Sequence, residues 1–406
     1  MRIGLCLSGG GFRATLFHLG ALTRLNELGV LSKIETFSSV SGGSITNAVL
    51  AQQWRQLERS DEVFSNLDQL VCEPIRNMCR LDLRTSVIAD WINPLDVVEK
   101  LKLFSKDYSL TDLLAKFYRE NLGLDCQLNQ LTDNPEFIFC ATNLESGVNW
   151  EFQSGEQGKM GDYVVGYTRN DETLDRAVAA SSSFTPLFPP IIVKRDHSEF
   201  SQGSNPLLSS EKNRIALTDG GIYDNFGMEP LWNLDEPKYD YVLVSDAGRP
   251  THFVDEPSQQ LIGRLGRSFD IALGQVANVR KRWLIREFIK RGVKGTYWGL
   301  NSNHKSYNLE GSQGFGYQAV NVLNRVRTDL DSFTDGEQAC LINHGYAITD
   351  TAIRRWCPEL VAASSSFEFP FPEFGSDDAA LDQLKESSKR TVMKDFLNFV
   401  LARLGI

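Results

Sequence analysis

A short apolar run, a tight turn of small residues and an amphipathic helix follow one another twice within the first 57 residues, and this repeat restricts the fold more than any other feature. Residues 2–7 read as a short buried strand. The turn Ser8-Gly9-Gly10-Gly11-Phe12-Arg13 follows, then a helix over about 14–28. On that helix Leu16, Leu19, Leu22 and Leu25 recur every three residues, and Gly29 stands where a C-terminal cap belongs. Residues 34–40 form a second strand and 44–57 a second helix. Strand–turn–helix repeated in this way predicts a mostly parallel sheet wrapped by helices, a three-layer α/β/α architecture. Further apolar runs at 137–142, 215–218 and 241–245 extend the sheet.

The intervening segments have other characters. Residues 60–135 read as a mostly helical insertion, with Pro74 and Pro94 as breaks, and 198–213 as a turn-rich loop. Residues 362–378 form a Ser/Phe/Pro linker ahead of a final amphipathic helix at about 379–404. The expected division is one domain over 1–360 and a linker with a C-terminal helical extension over 361–406. The insertion and the 198–213 loop interrupt the sheet near its active edge, which makes both candidate lids.

Composition excludes several classes. The chain has 406 residues, 42% hydrophobic and 23% charged, enough to build a large core. Its 42 Lys and Arg stand against 52 acidic residues, a net charge of −10, which argues against nucleic acid as the main partner. The seven cysteines are scattered and show no zinc-ligand spacing, so neither a metal nor a disulfide framework is expected. No apolar run reaches the length of a membrane span, and no signal peptide is visible, so the expected location is cytoplasmic with peripheral membrane contact.

Three local patterns carry chemistry. In Phe37-Ser38-Ser39-Val40-Ser41-Gly42-Gly43-Ser44 a serine stands between strand and helix, where small neighbours are needed to avoid the adjacent strand. Ser39 occupies the place of the first glycine in the usual Gly-x-Ser-x-Gly elbow. Taken alone, the pattern also suits a plain strand–helix connection. The second pattern, Gly9-Gly10-Gly11-Phe12-Arg13, opens a helix and lets backbone amides approach an anion. It lacks the Lys-Ser/Thr of a phosphate loop and the third glycine of a dinucleotide fingerprint. An oxyanion hole needs only two amides near a nucleophile. In the third, Asp219-Gly220-Gly221, a carboxylate ends a strand with nothing bulky behind it; taken by itself, that pattern is better explained by an ordinary tight turn.

Together the three patterns resemble the patatin-like phospholipases, whose members carry a Gly-Gly-Gly-x-Arg/Lys loop, a Ser-Gly-Gly elbow and an Asp-Gly-Gly motif. A further element, residues 179–190 (Ala-Ala-Ser-Ser-Ser-Phe-Thr-Pro-Leu-Phe-Pro-Pro), resembles the segment that lines the family's site between elbow and aspartate. The resemblance covers about residues 1–250. It implies a Ser–Asp dyad of Ser41 and Asp219, an oxyanion hole at Gly9, Gly10 and Gly11 with Arg13 nearby, and Gly42, Gly43, Gly220 and Gly221 as supporting residues. The implied activity is hydrolysis of lipid acyl esters at a membrane surface, without metal or cofactor. A thioesterase or acyltransferase using the same serine, and a ligand-sensing protein of vestigial activity, are the rivals. An activating ligand or partner stays open.

Two features stand apart from the motifs. His18, one helical turn past the glycine loop, could serve as a base, but between Phe17 and Leu19 it reads as a structural histidine. Residues 262–291 carry Leu265, Phe269, Ala272, Val276, Val279 and Trp283 as a stripe among many basic residues. Packing of that stripe on the sheet is the expectation, and a helix lying on anionic lipid is the alternative. The two can coexist.

Overall fold

The computed structural model describes residues 1–82, 109–185, 188–201, 203–204, 214–232, 238–251, 253–290, 292–328, 330–362, 366–385 and 387, except the side chain of His197. Ten strands form one sheet: β1 (Ile3–Leu7), β2 (Thr36–Val40), β3 (Glu136–Asn143), β4 (Asn149–Gln153), β5 (Lys159–Asp162), β6 (Gly166–Arg169), β7 (Ile191–Val193), β8 (Ile215–Asp219), β9 (Tyr241–Asp246) and β10 (Lys294–Gly299). The helices are α1 (Gly11–Glu27), α2 (Gly42–Gln53), α3 (Glu73–Cys79), α4 (Leu110–Leu122), α5 (Leu174–Ser182), α6 (Gly221–Asp224), α7 (Leu261–Lys290), α8 (Tyr317–Leu323), α9 (Asp335–Trp356) and α10 (Asp377–Leu384).

The strands run in the order β10-β9-β1-β2-β3-β4-β5-β6, with β8 beside β3 and β7 beside β8. The links β10-β9, β9-β1, β1-β2 and β2-β3 are parallel, as the strand–turn–helix repeat predicts. The remaining strands pair antiparallel, which makes the sheet mixed around a parallel centre. Alternation along β1 and β9 feeds two cores. Ile3, Leu5, Leu7, Tyr241 and Leu243 face the main core with α1, α2 and α9. Cys6, Val242 and Val244 face a smaller one with Leu284 of α7. Helices thus cover both faces, giving the three layers.

Several expectations change on contact with the fold. The first helix begins at Gly11, inside the glycine turn. The 60–135 segment opens with a small hairpin, Arg59–Ser60 with Val63–Phe64, before α3 and α4. Those helices send Ile75, Met78, Leu114 and Tyr118 into the main core; residues 83–108 lie outside the described residues. Of the 198–213 loop, 202 and 205–213 lie outside them too. The 362–378 linker is packed: the rings of Phe367 and Phe369 meet Tyr346 and Phe315. The final helix is described only as α10, which buries Ala380 and Leu384. All seven cysteines are free thiols.

The 262–291 stripe faces outward. Leu265, Phe269, Val276 and Val279 of α7 are exposed, and Leu284 is its one buried residue. The helix packs through Ala277, Leu284 and Phe288, and Trp283 alone of the stripe turns inward, onto Trp232. The expectation of an apolar stripe on the sheet is corrected accordingly.

Candidate active site

Strand register brings Ser41 and Asp219 together. β4 occupies one edge of β3, pairing Ile138 to Thr142. β2 and β8 share the other edge. There Val40 pairs with Cys140, and Asp219 pairs with the next residue, Ala141. The two strands therefore meet end to end, one running into Ser41 and the other ending at Asp219.

Ser41 has φ 50° and ψ −117°, a sparsely populated conformation that costs on the order of 1–3 kcal/mol. Close approaches over-determine it. A Cβ at Gly42 would stand 2.1 Å from the carbonyl oxygen of Gly11, and one at Gly43 2.3 Å from that of Leu7. The Ser41 N–H donates to Ser181 Oγ at 2.9 Å, and Ser181 Oγ donates to the Cys140 carbonyl at 2.6 Å. The Ser44 and Ser181 hydroxyls lie 2.9 Å apart, and Ser44 Oγ donates to Ser39 Oγ at 3.0 Å. Asn47 Nδ2 donates to the same Ser39 oxygen at 2.9 Å. The serine that stands in the place of the first elbow glycine is thus part of a buried polar network beneath Ser41.

The residues 181–183 also hold the aspartate. Ser183 O accepts the Asp219 N–H at 3.2 Å, and Ser181 O accepts the Gly220 N–H at 3.3 Å. Asp219 is buried, and burial pushes its carboxyl up to about 6 from the ordinary 3.8. The Gly221 N–H donates to Oδ1 at 2.7 Å, and with the nearby Ser41 hydroxyl it partly offsets that rise. A buried carboxyl beside a serine hydroxyl, titrating near 6, is ionised at neutral pH and can accept a proton.

The glycine loop lies across the elbow. Gly10 (φ 147°) and Gly11 (φ 59°) adopt conformations that side chains rarely take. The Gly9 N–H donates to the Asn225 carbonyl at 3.0 Å, which commits that amide elsewhere. The Gly10 and Gly11 amides remain at the start of α1, where helix N–H groups have no internal partner. Gly11 O lies 2.1 Å and Gly11 N 3.0 Å from where a Gly42 Cβ would stand, so the loop backbone passes against the elbow. Arg13 is fully buried behind the loop and donates to Ala247 O at 2.8 Å and Val326 O at 2.9 Å. The Ala247 oxygen in turn backs Gly10, where a Cβ would come within 2.8 Å. Arg13 braces the loop from behind through these two carbonyls.

Asn225, six residues past Asp219, escaped the sequence reading. Its side-chain amide lies against Gly9, Gly221 and Gly248, where a Cβ would come within 2.7 Å of it. The clue was there in the three glycines, but only the fold assembles them. His18 is buried, with Nε2 2.9 Å from the Ser8 carbonyl and Nδ1 2.9 Å from Ser245 Oγ. It supports the loop's first residue. Among the described residues no imidazole contacts Ser41 or Asp219, and no group of three His, Cys, Asp or Glu could hold a metal ion. No helix among them is long and apolar enough to cross a membrane.

No curated protein matches the sequence. Among solved structures, human GIVD cytosolic phospholipase A2 aligns with a TM-score of 0.51 at 14% identity, over 95% of this chain and 60% of that one. Its complex with methyl gamma-linolenyl fluorophosphonate gives 0.51 at 15% identity, over 96% and 59%. VipD from Legionella pneumophila scores 0.35 at 13% identity, over 99% and 76%. The human likeness shows a shared fold, and this chain spans about three-fifths of that protein's length. The family model for patatin-like phospholipases matches residues 5–232, more than half of the chain and the whole span from glycine loop to Asp219. The chain belongs to the patatin-like phospholipase family.

Proposed function

We propose that the protein is a serine lipid acyl hydrolase working through a Ser41–Asp219 dyad. The observation that carries this reading is that the register on β3 brings Ser41 and the buried Asp219 carboxyl together at two strand ends. Asp219 takes the Ser41 proton as Oγ bonds to the ester carbonyl carbon. The Gly10 and Gly11 amides stabilise the resulting oxyanion. Collapse breaks the bond to the leaving alcohol, which receives the proton from Asp219 and leaves an acyl-enzyme. Water then attacks the acyl carbon, gives its proton to Asp219, and releases the fatty acid as Ser41 recovers its own.

Family membership supports acyl esters of lipids as the substrate class. The human relative's complex with a linolenyl fluorophosphonate supports a fluorophosphonate as the test reagent. Wild type should label with such a probe and hydrolyse phospholipid, whereas Ser41→Ala should lose both while melting as wild type does. Asp219→Asn should lose nearly as much turnover, since an amide cannot take the proton. Retained turnover in clean Ser41→Ala protein overturns the reading. Transfer of the acyl group to an added alcohol or thiol in preference to water would make the protein an acyltransferase with the same serine.

A further inference from the structure

We propose that the outward face of α7 seats the protein on an anionic phospholipid bilayer, with the N-terminal half of the helix and Phe253 entering the interface beside the Ser41 site. The proposal rests on the reading of the site as a lipid acyl hydrolase and adds the surface that brings it to its substrate.

Thirty residues of α7 span about 45 Å, whereas the six of β9 span about 20 Å. The residues that pack on the sheet, Ala277, Trp283, Leu284 and Phe288, all lie in the C-terminal half. The N-terminal half runs past the sheet edge on which Ser41 sits. Gly274 lies against Thr251, in the loop that leaves the C-terminal end of β9. The Phe269 ring centroid is 6.3 Å from that of Phe184, next in sequence to Ser183, which binds the Asp219 amide. Leu261, Ile262 and Leu265 are each 60% exposed or more, and Phe253 in the preceding loop is 90% exposed. Isolated exposed apolar residues need no explanation, but a contiguous set at the rim of a site does.

Charge says what covers this face. The helix carries seven cations and two carboxylates, a net +5 on a chain of −10. Arg280 and Lys281 turn into the protein: Arg280 reaches Glu229 at 2.7 Å, and Lys281 lies over the Tyr297 ring. Arg264, Arg282 and Arg286 are exposed. Arg264 and Arg282 are five helical turns apart and so share one azimuth beside the apolar stripe. Apolar side chains flanked by arginines match the acyl boundary and anionic headgroups of a bilayer. A second copy of the chain would set this basic face against itself, since a two-fold contact is self-complementary.

The test is co-sedimentation with phosphatidylglycerol-containing and pure phosphatidylcholine vesicles, carried in a Ser41→Ala background so that hydrolysis cannot alter them. Leu261→Asp/Leu265→Asp should cut partition to anionic vesicles at least tenfold. Arg264→Glu/Arg282→Glu/Arg286→Glu should cut it by about fivefold per charge at low salt, and leave phosphatidylcholine binding unchanged. With Ser41 restored, both variants should keep their melting temperature and their turnover of a short soluble ester. Vesicle binding equal to wild type in both variants overturns the proposal. So does a wild-type dimer in sedimentation equilibrium that either set of substitutions splits. Absence of ester turnover in wild type, with vesicle binding still lost in the variants, would sink the hydrolase reading and leave the docking surface standing.

Discussion

α9 lies within the protein, and α7 lies almost wholly on it. Every residue of α9 from Gly336 to Ile353 is buried, although the run includes Glu337, Asn343, His344 and Asp350. α7 buries Leu284 alone. The difference is one of partners. Asp350 receives Arg24 at 2.7 Å and Glu337 receives Arg327 at 2.7 Å. Asn343 Nδ2 donates to Phe371 O at 2.7 Å, and His344 Nε2 lies 2.8 Å from Leu300 O. Backbones also approach closely: a Cβ at Gly20 of α1 would stand 1.9 Å from Ile342 O, and one at Gly345 of α9 2.0 Å from Phe17 O. Buried charges and amides are tolerated when they are answered in this way. Apolar count alone does not decide which helix goes inside.

The largest effect that could break this contrast is at the Arg24–Asp350 pair. Asp350→Ala strands a fully buried guanidinium and should cost roughly 3–5 kcal/mol in urea unfolding. A loss below about 1 kcal/mol would mean that Glu27 and Tyr346, which also accept from Arg24, suffice without the α9 carboxylate. The contrast is sharpened by a matched pair of deletions. Leu341→Ala in α9 should cost about 2–5 kcal/mol. Leu265→Ala in α7 should fall within about 0.5 kcal/mol of zero. Similar values for the two would place α7 inside the folded protein in solution.

The parallel centre of the sheet and the Ser41–Asp219 pairing were legible because the same constraint shapes sequence and structure there. Gly42 and Gly43 are demanded by backbone at 2.1 and 2.3 Å, so they stand in the sequence as a fixed signal. The antiparallel meander of β4, β5 and β6 left no such mark. Segments such as Lys159–Asp162 are four residues long and mix polar with apolar. Arg13 was legible as part of the motif, but the direction of a guanidinium depends on carbonyls more than 200 residues away. The stripe on α7 was legible as amphipathic, and its direction was not. That depends on which neighbour remains to be covered once α9 has filled the other face.

A smaller effect tests how the buried side of the molecule controls the site. Ser181 touches no substrate atom in the proposed mechanism; it is a positioning residue for the Ser41 amide. Ser181→Ala removes the hydrogen bonds to the Ser41 amide, the Cys140 carbonyl and Ser44 Oγ, and the one that bears on the strained elbow is worth on the order of 1 kcal/mol. The expected result is a drop of about fivefold to tenfold in kcat with KM nearly unchanged. Ser181→Thr, which keeps the hydroxyl, should recover part of it. A change confined to KM would make Ser181 part of the acyl-binding surface.

The smallest effects concern the two histidines on the facing helices, and they separate a carboxylate base from an imidazole one. Burial lowers His18 on α1 and His344 on α9 to about 4 each, so both are neutral at pH 7. A histidine depressed below its unfolded 6.5 costs nothing above that value and destabilises the fold as pH drops toward 4. Asp219 has the opposite sign. Its raised carboxyl disfavours the folded state at neutral pH, and that penalty is relieved as pH drops through about 6. Catalysis needs the ionised form, so the acid limb of kcat should fall near pH 6, close to where an ordinary histidine would put it. A pH–rate profile alone therefore does not distinguish the two bases, and substitution must. His344→Gln and His18→Gln should each move acid unfolding to lower pH and keep short-ester turnover within a few-fold of wild type. Substitution of His304, and of His197 and His252, whose side chains lie outside the described residues, should also leave turnover within that range. Complete inactivation by any one of the five, in a protein that still melts cooperatively, would put an imidazole into the proton transfer and leave Asp219 to orient it.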